Sequence, residues 1–259
     1  MTRLFAGLAL LSLVTKAGYS WSPQPETRGL PTRPRSTDAS ALHAAGDRSY
    51  VQRCAACHGR RGDGRGWAAR GLTPAPRDFT AGVYKLRSTP SGSIPTDADL
   101  FATLSRGMHG TAMIPWRGLP EEERWALVER VKAFSVRFSE EEPAAAVVIP
   151  DAPANEEELA SQGQQLYARL RCVACHGDGD GRGPGAALLA HDPGRKVRVR
   201  DLRSGMFLRG TSMRDIYLTL RSGMDGTPMG SYADALSSLQ TWAVAAYVRT
   251  LVLPGARAP

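Results

Sequence analysis

Lysine is nearly absent: only Lys16, Lys85, Lys132 and Lys196 occur in 259 residues, so arginine supplies almost all of the positive side of a +8 net charge. A basic balance admits nucleic acid, an anionic membrane surface or an acidic protein as partner. No basic stripe with interleaved aromatics runs through the chain, which removes nucleic acid from that set. No apolar run approaches the roughly 20 residues that a membrane-spanning helix needs. Aromatic residues make up only 7% while glycine reaches 27. That profile suits small, loop-rich helical domains in which a large apolar ligand supplies part of the core. No segment alternates with the period of a strand over a useful length, so the expected class is all-α.

The N-terminus reads as an export signal over 1–20. Arg3 gives a positive start, Leu4 to Val14 an apolar stretch of eleven residues, and Ala17, Gly18 and Ser20 a small-residue ending. Lys16 blurs the cleavage site, so an uncleaved anchor is the alternative. No cysteine follows to accept a lipid, and the expected location is the periplasm, as a soluble protein. Residues 21–38 are rich in proline and read as an extended leader.

The remainder is a duplication. Cys54, Cys57 and His58 recur as Cys172, Cys175 and His176, each 118 residues on. Asp63-Gly64-Arg65-Gly66 recurs 117 residues on from Asp180, Trp125 recurs as Trp242, and Met108 and Met113 recur 116 residues on as Met224 and Met229. Five anchors in one order at nearly one offset mean two copies of one domain. The copies are expected over 39–138 and 159–254, joined by an acidic, proline-punctuated linker over 139–158. Helices are expected from Ala41 to Arg53, with Asp38 or Ser40 as N-cap, and from Leu159 to Arg171, each leading into its Cys motif. Closing helices should begin after Pro120, with Trp125, Val128, Val131 and Phe134 on one face, and repeat as Trp242, Ala245, Val248 and Leu251.

Cys54-Ala55-Ala56-Cys57-His58 and Cys172-Val173-Ala174-Cys175-His176 are both C-x-x-C-H. Two thiols three positions apart can each form a thioether with one vinyl group of a heme, and the next histidine can ligate its iron. A thioredoxin-type dithiol would need neither that histidine nor a second copy. A zinc site would need both motifs to converge on one metal. A disulfide framework is the remaining rival in an exported protein, and two copies trailed by matching methionine loops argue against it. Two covalent hemes c are therefore expected, held by Cys54, Cys57, Cys172 and Cys175, with His58 and His176 on iron.

A sixth ligand must come from elsewhere or leave an open position. Among the other histidines, His43, His109 and His191 lack a histidine counterpart in the opposite copy, whereas the methionines are duplicated. Gly107-Met108-His109-Gly110-Thr111-Ala112-Met113 parallels Gly223-Met224-Asp225-Gly226-Thr227-Pro228-Met229. A thioether is a soft, neutral ligand that favours ferrous iron. Met113 and Met229 are preferred because each follows Gly-Thr-x, where small residues let the backbone approach a heme plane. Met108 and Met224 remain alternatives, and His109 a third in the first copy.

These motifs resemble class I c-type cytochromes in tandem, similar to diheme carriers and to diheme subunits of respiratory oxidoreductases. The resemblance implies two small helical bundles, each wrapped around a heme with one edge at the surface. In that family a proline carbonyl often accepts the hydrogen bond of the proximal imidazole. Pro74 would do so for His58, but His191 stands at the corresponding place in the second copy, with Pro193 matching Pro76. Lys85, Arg87 and Arg209 are the expected propionate contacts, and Tyr84 and Phe207 the expected heme walls. With both axial positions filled, outer-sphere electron transfer is expected rather than catalysis. The redox protein partner is expected to present an acidic surface, and the membrane to be reached only through that partner or an uncleaved signal. The alternative is a diheme, peroxidase-like enzyme with one heme open or differently ligated. A thiolate-ligated enzyme would need a spare cysteine, and all four are used.

Overall fold

The computed structural model describes residues 39–192 and 195–256. The expected export signal and proline-rich leader, and Asp38 and Pro193 with them, lie outside the described residues. The first half contains α1 (Ala39–Arg53), α2 (Ala55–His58), α3 (Asp97–Arg106), α4 (Glu121–Lys132) and α5 (Arg137–Glu140). The second contains α6 (Glu156–Arg169), α7 (Val173–His176), α8 (Met213–Ser222) and α9 (Ser238–Thr250). Beside the helices, the described residues hold one short antiparallel ladder, Ala190–Asp192 with Arg195–Lys196. It lies in a loop and leaves the class all-α. Ser40 lies inside α1 rather than capping it.

Local chemistry accounts for the ends of these helices. Thr96 and Asp99 close a capping box on α3, and Ser237 with Gln240 does the same for α9. Ser212 accepts from the Asp215 amide at the start of α8. The helix expected from Leu159 begins at Glu156. Asn155 accepts from the Glu158 amide, and three glutamates in the first turn favour the positive end of the helix dipole.

In each half the first helix crosses the closing helix that carries the tryptophan, α1 on α4 and α6 on α9. The approach is backbone to backbone. A Cβ added at Gly46 would collide with the Ala126 carbonyl, and one at Gly163 with the Ala243 carbonyl. Around these crossings the cores close over Tyr50, Leu104, Trp125 and Val128 in the first half, and over Tyr167, Leu220, Trp242 and Val248 in the second.

Both halves belong to one compact unit. The connecting segment is strapped down: the Val147 amide donates to the Ser88 carbonyl at 2.8 Å and the Ala144 amide to Ser93 Oγ at 3.0 Å. Ile149 packs on the second core. Substituting Gly163→Ala forces a methyl into the α6–α9 crossing and is expected to cost about 1–3 kcal/mol. The thermal unfolding midpoint of the heme-loaded protein measures this, and Gly46→Ala should match it in the first half.

Candidate heme sites

Each Cys motif is one helical turn hung on the end of the first helix. The Cys54 amide donates to Tyr50 O, and the Cys57 and His58 amides both donate to Cys54 O at 3.1 and 2.8 Å. The second half repeats this, with Cys175 and His176 donating to Cys172 O at 3.2 and 2.9 Å. In the first half the turn forms one wall of a cavity of about 370 Å³, which Cys54, Cys57, His58, Lys85, Met108 and Met113 line together. That volume is in the range of small-molecule sites.

Burial tunes these groups towards neutral forms. It pushes the Cys54 thiol up to about 11, against the pull of Arg53, and raises Cys172 likewise. Reactive and metal-binding cysteines are shifted the other way. Burial also lowers His58 and His176, keeping both imidazoles neutral as a ligand requires.

The proximal hydrogen bond differs from the expectation. His58 Nδ1 lies 3.1 Å from the carbonyl of Arg77, not of Pro74, and the Phe79 ring stacks on the imidazole at 4.4 Å. Pro74 lines the cavity instead. With Nδ1 engaged, Nε2 is the nitrogen available to iron. In the second half the Arg200 carbonyl acts on His176 in the same sense, but from outside hydrogen-bond geometry, because His176 Nδ1 is buried with no partner. His191, expected at the place of Pro74, lies in the short ladder.

The methionine loops are built alike. Met108 donates its amide to Met113 O at 2.9 Å, and Met224 to Met229 O at 2.8 Å. Thr111 and Thr227 each donate a hydroxyl to the first methionine's carbonyl at 2.7 Å and accept from the second methionine's amide. The loops are then tied back to α3 and α8, Trp116 N to Leu104 O and Tyr232 N to Leu220 O. Met108 and Met113 both reach the cavity wall, whereas His109 is not among its lining residues. Of the unpaired methionines, Met213 is buried in the second core. Met206 lies 3.5 Å from the position of a Cβ at Gly110.

The expected propionate contacts divide. Lys85 lines the cavity beside Tyr84, whose buried hydroxyl has no partner and is held protonated by burial. Arg209 is buried, pushed down to about 10 by desolvation, and its Nε is unpartnered. An anion at either place would satisfy these groups. Arg87 is placed differently. It is wholly buried, donating to Pro90 O and Tyr84 O, and across to Ser222 O and the Asp225 carboxylate at 2.8 Å. Asp225 also accepts from Ser91 Oγ and the Gly92 amide, and Arg209 donates to the Arg87 carbonyl. Arg87 is thus a bolt between the halves. Phe207 is buried in the second core.

Some site residues escape motif reading. Tyr50 and Tyr167 donate their hydroxyls to the carbonyls of Gly59 and Gly177, just after each Cys motif, at 2.8 and 2.9 Å. Extending the repeat outward would have found them, since they stand 117 residues apart, as do Gly46 and Gly163. Free thiols at the four cysteines, an apolar cavity with histidine on its wall, and unpartnered buried donors beside it all fit a covalently held heme.

A family model described as cytochrome C oxidase, cbb3-type, subunit III matches residues 41–129 and again 158–248. A solved structure from Kuenenia stuttgartiensis, the reducing HAO-like protein complex Kustc0457/Kustc0458, holds a chain 38% identical to this one. The match covers 86% of this chain and 100% of that one, with a TM-score of 0.81. No curated protein matches the chain. Two such domains imply two hemes c.

Removing Arg87 takes the cation from the half-buried Asp225 carboxylate and the donor from the carbonyls of Tyr84, Pro90 and Ser222. Arg87→Met is expected to destabilise the protein by about 3–5 kcal/mol, read from the denaturant midpoint. Pairing it with Asp225→Leu should restore a large part of that loss.

Proposed function

Because the chain belongs to the cytochrome c family described as cytochrome C oxidase, cbb3-type, subunit III, we propose that it is a diheme electron carrier of tandem class I design, working outside the cytoplasm as the redox subunit or docking partner of a larger oxidoreductase. The observation that carries this reading is the pairing, in both halves, of a Cys-x-x-Cys-His turn with a Gly-Thr-x-Met loop held by the same hydrogen bonds. When bound, each heme supplies a one-electron iron couple.

The chain's own part is positioning. With heme bound, the neutral His58 and His176 would each supply one ligand to iron and Met113 and Met229 the other, and the apolar walls would limit water at the metal and favour its reduced state. Lys85, Tyr84 and Arg209 supply cationic and hydroxyl donors for propionates. Near the first Cys motif the indole of Trp67 is 83% exposed, with Arg60, Arg61, Arg65 and Arg70 exposed around it in sequence. An exposed indole in an arginine-rich stretch suits an acidic redox partner. The solved neighbour belongs to a complex of two proteins, and we extend that arrangement to this chain. Export rests on the leader sequence. Among the described residues no helix is long and apolar enough to cross a membrane.

A second reading, one heme acting as a catalyst, is favoured by a single asymmetry: His176 Nδ1 has no hydrogen-bond partner while His58 Nδ1 does. Spectra of the exported, heme-loaded chain separate the two. The carrier reading expects two hemes per chain by pyridine hemochrome and a full-strength near-infrared sulfur-to-iron band. Met113→Leu and Met229→Leu should each remove half of that band, while Met108→Leu and Met224→Leu leave it. A half-strength band in the unmodified protein, with a high-spin component that binds cyanide, would put the catalytic reading first.

A further inference from the structure

The two halves meet through matching contacts. Arg77 and Arg200 stand 123 residues apart, as do Val83 and Met206. A Cβ placed on Gly110 would lie 2.5 Å from Arg200 Nη1 and 3.5 Å from Met206 Cβ. One on Gly226 would lie 2.8 Å from Arg77 Nη1 and 3.5 Å from Val83 Cγ1. Gly110 and Gly226 are the central glycines of the two methionine loops, at φ of 68° and 74°. Each arginine therefore reaches the methionine loop of the other half, and Arg200 Nη1 lies 3.5 Å from the Gly110 carbonyl. The absence of a side chain at these glycines is what admits the guanidinium.

The same arginines stand behind their own proximal histidines. The Arg77 carbonyl faces His58 Nδ1, and the Arg200 carbonyl is seated on Gly181, at 2.9 Å from where its Cβ would be, as Arg77 is on Gly64. Arg77 thus has its backbone at its own imidazole and its charge at the loop opposite, and Arg200 carries its charge across in the same way.

We propose that Arg77 and Arg200 are positioning residues, each setting the reduction potential of the heme in the opposite half through its guanidinium at that half's methionine loop. A fixed positive charge at the methionine loop disfavours the ferric state there.

The test is a spectroelectrochemical titration of the full, two-heme chain. The hemes are told apart by methyl resonances, assigned with single Met113→Leu and Met229→Leu chains. Arg200→Met should shift the redox equilibrium of the first-half heme towards ferric by about 3- to 10-fold, where tenfold is 59 mV for one electron. It should move the second-half heme less. Arg77→Met should do the converse. Arg→Lys at either position keeps the charge and should retain most of the opposite heme's potential. Shifts confined to the heme of the substituted half, no shift at either heme, or a lysine variant that loses as much as the methionine variant would each overturn the proposal.

Discussion

Two helix backbones in direct contact set the frame for everything else. Where α1 crosses α4 and α6 crosses α9, glycine on the first helix lies against a carbonyl of the second, and no side chain separates them. The crossing aims the C-terminal end of the first helix, and with it the Cys-x-x-Cys-His turn, at one place. It also brings Trp125 and Trp242 under the third helix of each half, where Trp125 stacks on Phe101 and Trp242 meets Tyr217 in a tilted contact. With the turn and the closing helix held, the remaining chain has to arch over an apolar space. Such a space lined by carbon is costly to leave unfilled, and a flat, apolar prosthetic group removes that cost.

Duplication then does more than double the capacity. The copies are packed face to face through buried arginines, which are unfavourable inside a protein unless paired or hydrogen-bonded. Arg87 meets that demand with Asp225 and three carbonyls. Arg209 meets it only in part, leaving one donor free. The seven-residue surplus of the first half between its Arg-Asp pair and its methionine loop builds the Ser91–Gly92 cradle for that same aspartate. A surface that would repel in isolation thereby becomes an interface of fixed geometry, with a methionine loop from each copy at its edge.

How much of this was legible follows from how local each feature is. Cys54, Cys57 and His58 are contiguous, so their chemistry reads directly, and an exact repeat removes ambiguity. The methionines read as pairs, because one hydrogen-bonded loop presents both. Helix starts were less legible: Glu156 to Glu158 read as linker charge, yet with Asn155 before them they form the first turn of a helix. The proximal acceptor was misread for a different reason. Arg77 lies 19 residues after His58 but Arg200 lies 24 after His176, so counting from the shared Gly-Arg-Gly lands on His191 while the chain returns to the imidazole at Arg200.

By itself the amino-acid sequence determined the attachment chemistry, the all-α class, the duplication and the short set of axial candidates, since each is written in neighbouring residues or in a repeated spacing. Tertiary structure alone decided which carbonyl faces the imidazole, that Arg87 joins the halves, and that Arg77 and Arg200 cross between them. Those outcomes depend on where loops of unequal length come back to the fold. That return is set by the packing of distant backbone, which no local pattern encodes.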